Sequence, residues 1–93
     1  NYTVNGPGLP SGGSTDPNII LYRGFTYDFN NTTGSSHPLR IQSTTGLSGT
    51  PYTTGISGSQ TAMQSFTVPF DAPSTLYYQC TIHSDMNGTI EIR

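Results

Sequence analysis

The sequence predicts an all-β sandwich of about seven strands, and three observations point to it. Apolar residues alternate with polar ones at period two and rarely recur at i, i+3, i+4. Clusters of Gly, Pro and Asn punctuate the chain at short intervals, as in a protein of strands and turns. Only 9% of the 93 residues are charged, and the balance of Ser, Thr, Gly and Asn is poor in helix formers.

The elements follow in order. A short strand near Tyr2 to Val4 precedes the turn signals Gly6-Pro7-Gly8 and Gly12-Gly13. Ile19 to Tyr22 reads as the next strand, and Gly24 is expected to punctuate a hairpin into a strand whose Phe25, Tyr27 and Phe29 share one face, with Thr26 and Asp28 on the other. After Asn30-Asn31 and Gly34, Leu39 and Ile41 oppose Arg40 and Gln42. The stretch from Ser43 to Thr61 is rich in Thr, Ser and Gly and longer than loops usually run, so it is functional, mobile or the host of a weak edge strand around Tyr52. Phe66 and Val68 then oppose Ser65 and Thr67, and Pro69 and Pro73 end that strand. Leu76, Tyr78 and Cys80 fall on one face with Tyr77, Gln79 and Thr81 on the other, and Ile90 and Ile92 oppose Glu91 and Arg93 across the Asn87-Gly88 turn. Phe66, Phe70, Tyr77 and Tyr78 read as core or sheet-face aromatics.

Size and charge narrow the function. At this length the whole chain, residues 1–93, is expected to be one domain. The formal net charge is -2, with three arginines and no lysine, so the chain offers no basic surface for nucleic acid or anionic headgroups. No apolar run approaches the roughly 20 residues of a membrane span, and membrane insertion is not expected. The single Cys80 has no partner for an internal disulfide. Because the chain opens on Asn1, it is expected to be a processed or excised piece of a longer, multidomain product.

Soft and borderline ligands are scarce: one Cys, two His and two Met. Three of them form Cys80-x2-His83-x2-Met86, from the end of one strand to the turn that opens the last. The other His, His37, stands directly before the Leu39 to Ile41 strand, where folding can bring it beside Cys80. Two imidazoles and a thiolate with a weak axial thioether form the ligand set of a blue-copper electron-transfer site. Set against this, a lone Cys in a strand is usually a small buried hydrophobe. Single histidines are more often surface or capping residues, and Met86 can simply close one end of the sandwich. A Cys80, His83, Asp85 hydrolase fits poorly, because a base three residues along one turn serves a shared ion better than a substrate.

The segment from Thr67 through Tyr77-Tyr78-Gln79-Cys80-Thr81-Ile82-His83-Ser84-Asp85-Met86-Asn87-Gly88 to Ile90 resembles the C-terminal half of a cupredoxin, a blue-copper protein, with the short ligand loop of the amicyanin type. His37-Pro38 and the strand after it resemble the first-ligand segment. The resemblance implies a Greek-key β-sandwich holding one mononuclear type 1 copper ion on His37, Cys80, His83 and Met86. It implies a one-electron carrier rather than an enzyme, a redox partner protein, and an extracytoplasmic location: periplasm, secretion or virion surface. His83 is then the port for electrons, within a neutral docking patch of Pro38, Ile82 and His83. Many cupredoxins have a backbone N–H after the first His that bonds the copper-bound sulfur, and Pro38 lacks one. Asp85 adds a carboxylate, so a reduction potential toward the low end is expected. The alternative reading is a cupredoxin-like structural or adhesion module of a larger secreted or virion-surface protein, with copper absent or without a function.

Overall fold

The computed structural model describes residues 2–4 and 13–93. It is all β apart from one short 3-10 turn, Gly34–Ser36, and no helix among the described residues is long and apolar enough to cross a membrane. Among the described residues nine strands run in chain order: β1 Thr3–Val4, β2 Ser14–Thr15, β3 Ile19–Leu21, β4 Thr26–Asn30, β5 Leu39–Gln42, β6 Ile56–Gly58, β7 Met63–Thr67, β8 Thr75–Cys80 and β9 Asn87–Ile92. The Gly6-Pro7-Gly8 and Gly12 turn signals lie outside the described residues.

Seven of the strands form the sandwich. One sheet has the order β3-β9-β8-β5 and the other β4-β7-β6, while β1 and β2 pair as a separate ribbon. The β3-β9 pair is parallel; the other pairs are antiparallel. Because β3 and β4, β4 and β5, β5 and β6, and β7 and β8 lie in different sheets, the chain crosses repeatedly between layers, as in Greek-key folds. Inward residues of both sheets meet in one core of Leu21, Ile41, Phe66, Val68, Leu76, Tyr78, Cys80, Ile90 and Ile92. The period-two reading of β8 and β9 is therefore met where it matters, since Leu76, Tyr78, Cys80, Ile90 and Ile92 are all buried.

Three expectations are corrected. Gly24 adopts φ +86°, a left-handed conformation open to glycine, but it turns the chain from one sheet to the other rather than closing a hairpin. The weak strand within 43–61 is β6, at Ile56–Gly58, and not around Tyr52. At three residues beside a positive-φ glycine at 55, β6 is too short to show alternation. Residues 51 and 52 make only a bridge from Pro51 to Gln42, and Tyr52 sets its ring edge-on to Phe66 at 6.1 Å. Finally, Phe70 does not pack in the core. It is 82% exposed and lies over Gly24 in the loop after β7.

At Gly88 a close approach requires glycine. Tyr78 on β8 faces Gly88 on β9, and its ring occupies the space where a side chain at 88 would stand. That allowance lets the phenol reach the Pro17 carbonyl at 2.5 Å. Burial raises the Tyr78 pKa above the ordinary 10.0, and the charge of Asp16 adds to it.

Candidate metal centre

The register of one strand pair builds the site. In the antiparallel β5-β8 pair, Leu39 stands opposite Cys80, so the residues just before β5 lie beside the end of β8. Thr81 N–H donates to the Pro38 carbonyl at 3.2 Å and continues the ladder one step further. His37, which follows the 3-10 turn with φ -142° and ψ 74°, stays out of the α region, which is disfavoured for a residue before proline. Its side chain thereby arrives at the Cys80 sulfur.

The second imidazole comes from the loop that joins β8 to β9. That loop folds back on itself: Met86 N–H donates to the His83 carbonyl at 3.2 Å, and Cys80 N–H donates to the Met86 carbonyl at 2.8 Å. Gln79 of β8 then pairs with Asn87 of β9, closing the excursion. His37 Nδ1 lies 3.2 Å from His83 Nδ1, Cys80 Sγ lies 3.4 Å from His83 Nδ1, and Cys80 Sγ lies 3.8 Å from His37 Nδ1. Cys80 is fully buried, His37 half-buried and His83 exposed, so the group spans from core to surface. Met86 is buried next to the cluster, at the end of the same loop.

These separations suit a shared ion. Donors bonded to one metal at about 2.0–2.3 Å and at trigonal to tetrahedral angles stand roughly 3.3–3.8 Å apart. Two imidazole nitrogens and a thiolate are also a donor set chosen by borderline and soft metals rather than by calcium or magnesium. Among the described residues this is the group of His, Cys, Asp or Glu side chains that could hold an ion. The His37, Cys80 and His83 expected from spacing are thus brought together, with Met86 near them. Met63 lies apart and exposed on β7. Asp85 is exposed, so water screens its charge. Ile82 N–H does not bond the sulfur, whereas both imidazole Nδ1 atoms lie within 3.8 Å of it.

The supports around the cluster are residues that spacing does not single out. Two donors meet at the His37 carbonyl, Asn31 Nδ2 at 2.7 Å and the Tyr2 hydroxyl at 2.9 Å. Asn31 Nδ2 also donates to the Gln60 carbonyl at 2.9 Å, and its Oδ1 accepts from the backbone and hydroxyl of Thr33. The buried Asn31 therefore clamps the segment that carries His37 from the β4 side. Tyr2 is buried as well. Burial first, and then the charge of Cys80, push its phenol pKa well above the ordinary range.

Comparison with known proteins finds no family model, no curated protein and no solved structure that matches the chain. The all-β fold and the His37, Cys80, His83 cluster with Met86 nearby fit a cupredoxin-like site on geometry alone.

Proposed function

We propose that this chain binds one mononuclear copper ion as a type 1 site and passes single electrons to a redox partner protein. His37 and His83, through Nδ1, and Cys80, through Sγ, would hold the ion together with Met86. The observation that carries the reading is the convergence of Nδ1, Nδ1 and Sγ within 3.2 to 3.8 Å, on side chains from two stretches 43 residues apart. An ion held there supplies a one-electron couple, and the chain supplies everything else.

Cys80 sits at the end of a strand hydrogen-bonded on both sides, so its sulfur has little freedom to shift. His37 is pinned through its own carbonyl by Asn31 and Tyr2. Ligands that hold one arrangement across a change of charge keep the rearrangement accompanying electron exchange small. His83 is exposed and is the edge presented to a partner. Ile82 beside it is 56% exposed and gives that face an apolar, uncharged contact.

Adding Cu(II) to the reduced metal-free protein tests the reading. Intense visible thiolate-to-copper absorption is expected at one equivalent. In Cys80→Ser the band is lost, and affinity falls by more than the roughly 10–100-fold that changes outside the ligand set cost. A colourless wild type that takes up only zinc, or no metal, overturns the electron-transfer reading and favours a structural module.

A further inference from the structure

Gln79 is a polar residue in a polar place by the alternation of β8, on the face opposite Leu76, Tyr78 and Cys80. Solvent is the ordinary environment for such a side chain, yet Gln79 is 1% exposed. What covers it is the ligand loop. Its Nε2 lies 2.9 Å from the His83 carbonyl, 3.0 Å from that of Cys80, 3.4 Å from that of Met86 and 3.5 Å from that of Ser84. Four acceptors around one atom fix it as the NH2 end of the amide, since the carbonyl end would face only lone pairs. Two hydrogens serve the two near carbonyls, and the two distant ones lean on the same positive end. Three of the four carbonyls belong to Cys80, His83 and Met86, the three ligand residues of this loop.

We propose that Gln79 is the positioning residue of the ligand loop, holding the backbones of Cys80, His83 and Met86 in register with one another before an ion arrives. The proposal rests on the copper reading for what the loop is positioned to do, but not for the brace itself. A loop of six residues, 81–86, between two strands has many ways to close, and its own bonds are few: Met86 N–H to His83, Cys80 N–H to Met86, and Asn87 Nδ2 to the Ser84 carbonyl at 3.0 Å. The Gln79 amide joins the same carbonyls from inside the turn. Without it the His83 and Met86 backbones lose their common anchor, and the exposed His83 ring can leave the cluster.

Gln42 is the matched control. It is also buried, on the same face of the neighbouring strand β5, and its Nε2 donates to the Thr44 and Gly46 carbonyls at 2.9 Å each, in a loop that carries no ligand. The experiment compares wild type, Gln79→Met and Gln42→Met. Amide hydrogen exchange at Cys80 and Met86 is measured in the metal-free proteins, and Cu(II) affinity and visible spectrum by competition titration. Gln79→Met is expected to speed exchange at Met86 by at least about tenfold and to weaken copper binding by about 10- to 100-fold with an altered band. Gln42→Met is expected to leave both at wild-type values. If Gln79→Met does not fold, Gln79→Asn, whose amide is one methylene short of the carbonyls, is expected to shift both readouts in the same direction. Unchanged exchange and affinity in the Gln79 variants, or equal losses in Gln42→Met, overturn the proposal. If wild type binds no copper, the metal reading falls alone, and the exchange rates still decide whether Gln79 braces the loop.

Discussion

Two loops leave the same face of one sheet and end differently. The segment after β5 and the loop after β8 are each gathered around the amide of a buried glutamine, Gln42 in one case and Gln79 in the other, with Arg40 between them on that face. Each amide donates to two loop carbonyls at 2.9–3.0 Å. The first loop then uses Gly49, whose missing side chain leaves room for the Gln42 amide, while the second carries His83 and Met86 back to Cys80. The bracing is common to both; the chemistry comes from the donors placed on one of them. A buried amide with satisfied bonds is thus the chain's way of shaping loops with few charges and little apolar bulk.

Changing the clamp on the His37 side gives the largest effect expected of any support. Asn31→Ala removes four hydrogen bonds, two given and two received, and is expected to cost about 2–4 kcal/mol in unfolding free energy. Because one of those bonds holds His37, the copper band is expected to shift as well, which visible spectroscopy beside a denaturant titration checks. Gln42→Met is expected to cost less, about 1–3 kcal/mol, with the band unchanged. If the ligand-free loop proved as important to the spectrum as the clamp on His37, the division between shaping and chemistry would be lost.

The smallest effect is a pH dependence of the metal-free protein. The Tyr78 pKa lies above 10.0 because the folded state buries the phenol. Its stabilising preference for the folded state is complete below about pH 10 and is lost as pH rises from there toward the folded value, since the unfolded chain releases the proton first. Unfolding free energy is expected to fall above about pH 10, with tyrosinate absorbance appearing together with loss of structure rather than before it.

The fold was legible where residues obey period two, and the site where rare residues repeat a spacing. Leu76, Tyr78, Cys80, Ile90 and Ile92 announce their strands because alternate burial leaves no other pattern. His37, Cys80, His83 and Met86 stand out because the chain has so few soft donors. What stayed hidden depends on partners far along the chain. Gln42 and Gln79 sit at polar positions, and nothing local says that a loop will fold over them. Asn31 reads as a turn residue until its amide finds the carbonyls of 37 and 60. β6 is held by pairing with β7 rather than by its own composition, and Phe70 reads as core because an aromatic beside prolines looks no different when it lies on the surface.

An X-ray absorption spectrum of the copper-loaded protein bears most directly on the central claim. One sulfur and two imidazole nitrogens at about 2.0–2.3 Å are expected in the coordination shell. A shell of nitrogen and oxygen without sulfur, or one unaltered in Cys80→Ser, contradicts the claim.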